Sequence, residues 1–114
     1  MKIIKDKIYL TELLEMSKKM HQMLVKAVVD IEQQIMVVDA ELHADEEELL
    51  LEHGSNQESL WGINLYPHKI NSDNWIEFDS MINLRPSWGN SSRSVEDVKI
   101  QQKILTTVNK LVIK

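Results

Sequence analysis

The clearest rhythm in the chain runs from Ile76 to Arg85, where Ile76, Phe78, Ser80, Ile82 and Leu84 fall on one side and Glu77, Asp79, Met81, Asn83 and Arg85 on the other. A period of two is the signature of a half-buried strand. A second strand reads over Leu60 to Tyr66, with Trp61, Ile63 and Leu65 sharing a face and Pro67 ending it. β-branched residues dominate earlier: Val28-Val29-Asp30-Ile31 and Ile35-Met36-Val37-Val38 flank Glu32-Gln33-Gln34, which predicts a hairpin. Glu41 to Gly54 mixes helix formers with turn chemistry, and we read a strand near Leu49 to Glu52.

Three- and four-residue spacing marks two helices. Thr11 caps the first, from Glu12 to Val25, through Leu13, Leu14, Ser17, Met20, His21 and Leu24. Ser94 caps the second, with Asp97 three residues on and an apolar face of Val98, Gln101, Ile104, Leu105, Val108, Leu111 and Val112. Strands in sequence with short links favour an antiparallel β-meander of about four or five strands, with the N-terminal and C-terminal helices packed on one face. The expectation is a two-layer α+β domain over residues 1–114, its other sheet face polar or engaged by a partner.

Composition narrows the chemistry. The 114 residues suit one domain with its own core, and the low Gly (3) and Pro (2) counts argue against long linkers. With no Cys there is no disulfide, thiolate metal site or thiol nucleophile. Met1 to Lys7 lacks the apolar stretch of a signal peptide, and no run approaches the roughly 20 residues that cross a bilayer, so a soluble, cytoplasmic protein without membrane contact is expected. The net charge of −5 is unevenly spread. No Lys or Arg lies between Lys26 and Lys69, a stretch that holds ten acids, whereas the flanks hold all 13 basic residues against eight acids. Such a dipole disfavours general nucleic-acid binding and can help subunits pair.

Three groups of residues could carry chemistry. In an extended backbone Glu41, His43 and Asp45 point to one side as mixed N/O metal ligands, with His43 a possible acid or base; the alternative is a solvated acidic edge. Arg85-Pro86-Ser87-Trp88-Gly89-Asn90-Ser91-Ser92-Arg93-Ser94 joins guanidinium groups to a helix start and could bind an anion; equally, Arg93 could pair with Asp97 in a self-satisfied loop. Lastly, Glu77, Asp79, Asn83 and Arg85 come beside Asn64 and Tyr66 if their strands are neighbours, forming a binding surface or only register-holding pairs. Trp61, Trp75 and Trp88 could stack a planar ligand or anchor a core or interface. A Gly-rich phosphate loop with Lys, a GxSxG elbow, an HExxH motif and a dinucleotide fingerprint are all missing.

Four long segments are specific enough to suggest a family. They are Val25 to Asp30, Glu41 to Glu47, Leu60 to Pro67, and Trp75 to Pro86, and Gly89 to Asp97 joins them. Through these the chain resembles a family of short prokaryotic proteins catalogued as domain of unknown function 5674. It departs from that pattern at Gln34, where the family's first turn has Gly, and at Trp88, where a polar residue precedes Gly89. The resemblance implies no activity.

The residues support two function classes. The leading one is a binding or interaction domain, expected as a homodimer, that holds a small anionic ligand or a protein partner with Asn64, Asp79, Asn83, Arg85, Asn90 and Arg93, without a cofactor. The alternative is a divalent-metal-assisted hydrolase with Glu41, His43 and Asp45 as ligands and Asp79 as a further ligand or base.

Overall fold

The structure is a computed structural model covering residues 1–114. Its centre is a five-stranded antiparallel sheet, which the alternating segments build only in part. The elements in chain order are β1 (Lys2–Ile4), β2 (Ile8–Tyr9), α1 (Leu10–Ser17), β3 (Val25–Asp30), β4 (Ile35–Val38), α2 (His43–Glu52), β5 (Leu60–Leu65), β6 (Ile76–Glu77), α3 (Val98–Leu111) and β7 (Val112–Ile113). Strand order in the sheet is β1-β4-β3-β5-β6, while β2 and β7 form a short parallel pair. The sheet is therefore not a meander. From β4 the chain crosses through α2 and returns on the far side of β3 as β5.

The β3–β4 hairpin forms where the β-branched runs predict it, with Ala27 opposite Val38 and Asp30 opposite Ile35. Gln34 closes its turn at φ 58°, the left-handed conformation that Gly adopts most freely. Trp61, Ile63 and Leu65 share one sheet face with Ala27 and Val29, and the N-terminal and C-terminal helices cover it through Leu13, Ile104, Val108 and Leu111. That part of the expected architecture holds.

A third layer corrects the rest. Residues 43–52 are helix, not strand, and α2 covers the opposite sheet face, packing Leu50 against Val28, Val37 and Leu60. Its buried positions are His43, Glu46 and Leu50, a helical i, i+3, i+7 stripe with two polar members. Helical periodicity is present, but hydrophobicity does not report it.

The long alternating segment also folds differently from its pattern. Only Asn64↔Glu77 and Leu65↔Ile76 pair across β5 and β6. A Cβ on Gly62 would lie 2.5 Å from the Ser80 Cβ, so the missing side chain is what lets Ser80 cross over β5. From there Met81–Asn83 form a single 3-10 turn. The Asn83 amide takes the place of a strand neighbour: its Oδ1 accepts from the Gly62 N–H (2.8 Å) and its Nδ2 donates to the Gly62 carbonyl (2.9 Å).

Helix limits shift for local reasons. In α1 Thr11 is interior, Tyr9 is the N-cap residue, and Ser17 Oγ turns back to donate to the Leu14 carbonyl at 2.7 Å. The chain then reverses, with Met23 at φ 57° just before Val25 enters the sheet. In α3 the cap is Asp97, which accepts from the Lys99 N–H at 2.8 Å, rather than Ser94. Ser94 is held out of the helix because its carbonyl accepts from Asn90 Nδ2 at 2.7 Å.

Candidate functional site

The face of the sheet under α2 is apolar at one end and polar at the other. Antiparallel register sets Lys26 opposite Asn64 and Asn64 opposite Glu77, so the three residues form a row across β3, β5 and β6. The N-terminal turn of α2 brings His43 over this row, and the segment after β6 brings Asp79 and Arg93. With Gln22, Leu24 and Tyr66 they line a cleft of about 540 Å³, within the size range of small-molecule sites.

Each member has a defined partner. His43 Nε2 lies 2.8 Å from the Ile63 carbonyl, which fixes N–H at Nε2 and leaves Nδ1 as the acceptor. Burial holds the imidazole below the ordinary histidine pKa range, against the Ile63 carbonyl bond, so it is neutral near pH 7. Asn64 Nδ2 donates to Glu77 Oε1 at 2.8 Å and to the Asp79 carbonyl at 3.3 Å. Its Oδ1 is buried without a partner. Tyr66 donates from its hydroxyl to the same Glu77 oxygen at 3.2 Å; burial and then the Glu77 charge raise its pKa. Arg93 Nε donates to Asp79 Oδ1 at 2.7 Å in a half-exposed ion pair. Lys26 Nζ donates to the Glu41 carbonyl at 2.8 Å, a neutral partner that leaves its charge uncompensated.

Of the residues singled out in the sequence, Asn64, Asp79, Arg93 and His43 come together here. Three others turn inward and hold the fold instead, a correction to their reading as ligand residues. Asn83 is fully buried against Gly62. Asn90 donates to the carbonyls of Asn83, Ser92 and Ser94 and accepts from the Glu96 N–H, which organises the whole loop. Arg85 donates to the carbonyls of Ile82, Gln57 and Leu60 and lies 3.6 Å from Glu47. Its guanidinium is sandwiched between Trp61 at 4.7 Å and Trp88 at 5.4 Å. Three of its five N–H donors go to backbone carbonyls, so its main work is to hold the fold. Arg93 pairs with Asp79 rather than with Asp97.

The extended geometry proposed for Glu41, His43 and Asp45 is also overturned. Because α2 begins at His43, the histidine faces the sheet while Asp45 and Glu41 are exposed. No three His, Cys, Asp or Glu side chains stand close enough together to hold a metal ion. The hydrolase reading loses its geometric premise.

Sequence reasoning missed Lys26. Its signal was available: Lys26 is the one cation inside the apolar run Val25 to Val29, and a lone charge there needs a polar neighbour across the sheet. Gln22 gave no comparable sign. The buried Glu46 was likewise counted only as one of the acidic run. Burial pushes its pKa up to about 9, although Oε2 accepts from the Ala40 N–H at 3.2 Å, and Oε1 has no partner. Glu46 is therefore protonated at neutral pH.

The family model described as "Protein of unknown function (DUF5674)" matches residues 2–111. No curated protein and no solved structure matches the chain. No helix is long and apolar enough to cross a membrane.

Proposed function

Taking as premise that the chain belongs to the DUF5674 family, whose description carries no activity, we propose that it is a binding domain for a small anionic ligand held in the cleft over Asn64. One observation carries this reading: the Lys26 ammonium stands in the cleft with only a carbonyl as partner, and no carboxylate lies within ion-pair distance. A cation so placed favours an incoming anion. Arg93 adds to it, because only its Nε is engaged, by Asp79, and its two terminal nitrogens make no hydrogen bond within the protein. Neutral His43 and the Asn64 amide supply polar contacts without adding negative charge.

The test is calorimetric titration and thermal shift with acetate, inorganic phosphate and small carboxylic acids, on the parent protein and on Lys26→Met and Arg93→Gln. At least one anion should bind the parent, and each variant should lower its affinity about tenfold, the loss of about 1.4 kcal/mol of charge-assisted contact. Lys110→Met, which removes a cation on α3, should leave the affinity unchanged. Equal binding by all four proteins would sink the assignment.

A further inference from the structure

The cleft is two-ended. Lys26, Asn64 and Glu77 are successive register partners on three adjacent strands, so one row runs from a cation through an amide to a carboxylate. Two strand spacings separate its ends by roughly 10 Å at the backbone. Arg93 and Asp79 repeat the pairing of opposite charges beside it.

Acceptors outnumber donors at the Glu77 end. Asn64 is 7% exposed, yet its Oδ1 has no hydrogen-bond partner. Leaving a buried carbonyl oxygen unpaired is costly, and a site built to receive a donor is a direct way to recover that cost. Glu77 uses only Oε1, for Asn64 and Tyr66, and its Oε2 is unengaged. Fixing the His43 N–H on the Ile63 carbonyl leaves Nδ1 as a third acceptor. A simple anion would satisfy Lys26 and Arg93, leave these acceptors empty and meet the Glu77 charge.

We infer that the ligand is a zwitterion of the amino-acid class, with its carboxylate on Lys26 and Arg93 and its ammonium on Glu77 and Asn64 Oδ1. This deepens the anion-binding reading and rests on it. An ammonium has three donors and no acceptor, which matches the acceptor set of Asn64, Glu77 and His43. The opposed charges of the row favour a ligand bearing both signs over one that is only an anion.

Calorimetry with glycine, β-alanine, γ-aminobutyrate and ε-aminocaproate, each beside its N-acetyl derivative and its carboxamide, separates the two claims. At least one zwitterion should bind, and both N-acetylation and amidation should weaken it tenfold or more. In Glu77→Gln, which still accepts from Tyr66 and Asn64, N-acetylation should cease to matter while amidation still does. Lys26→Met should show the reverse. If the N-acetyl acids bind the parent protein as well as the free amino acids, the zwitterion inference falls and anion binding stands. If no member binds, the zwitterion inference falls, and the acetate and phosphate titrations decide the anion reading. The comparison on the parent protein decides even where a variant folds poorly.

Discussion

Replacing Glu46 by Gln tests the buried carboxyl under α2. The side chain is 0% exposed, and its pKa is pushed up to about 9, chiefly by burial. In the unfolded chain it titrates near 4.5, so between these values the folded protein holds one proton that the unfolded chain has released. A group raised in the folded state gives its full stabilisation below the unfolded pKa and loses it as pH climbs to the folded one. Stability should therefore fall with rising pH by about 1.4 kcal/mol per unit, about 2.7 kcal/mol from about pH 6.5 to about pH 8.5. Choosing that window keeps His43 out, because its pKa is lowered by burial and its linkage acts on the acid side. Glu46→Gln abolishes the proton exchange. Its extra N–H adds a penalty of about 1–3 kcal/mol, but one that does not change with pH. The assay is denaturant unfolding followed by tryptophan fluorescence at several pH values across the window. The parent should lose stability toward alkaline pH while the variant stays flat within about 0.5 kcal/mol. Parallel pH profiles would refute the claim that Glu46 is protonated in the folded protein.

Two further substitutions address the loop that follows β6. Gly62→Ala drives a methyl group to 2.5 Å from Ser80 Cβ and should cost at least about 2 kcal/mol in urea unfolding; adding Ser80→Gly should restore more than half of it. Arg85→Lys keeps the charge beside Glu47 but cannot reach three carbonyls or fill the space between Trp61 and Trp88, so about 2–3 kcal/mol should be lost. Any anion affinity of the cleft should stay within threefold in that variant, since Arg85 lines a different surface depression. A large loss of anion affinity would return Arg85 to the binding site.

Legibility in the sequence followed how directly a pattern reports its surroundings. The hairpin was readable because β-branched residues suit both buried faces of a central strand. The type of its turn was not readable, because Gln34 gives no sign of the left-handed conformation that it adopts. By contrast α2 hid itself: two of its three buried positions, His43 and Glu46, are polar, and a hydrophobic period cannot register them. The same error straightened Glu41, His43 and Asp45 into a metal triad. The Ile76 to Arg85 alternation was genuine as a pattern but said nothing of Gly62, the distant residue that diverts the chain. For the site, Asn64, Asp79 and Arg93 were named in sequence as polar groups near one another, whereas Asn83, Arg85 and Asn90 were named for the same reason and serve the backbone. Polar side chains advertise hydrogen bonding without saying whether the partner is a ligand or a carbonyl.

The amide of Asn83 and the guanidinium of Arg85 have a consequence for association. β6 ends after two residues, and the N-terminal half of β5 would otherwise expose a template for a foreign strand. Instead the Gly62 N–H and carbonyl are claimed by Asn83, and the Leu60 carbonyl by Arg85. The opposite margin belongs to β1, three residues long and beginning with Lys2. A strand added along the N-terminal half of β5 would have to displace Asn83 and Arg85, so that margin resists aggregation by strand addition.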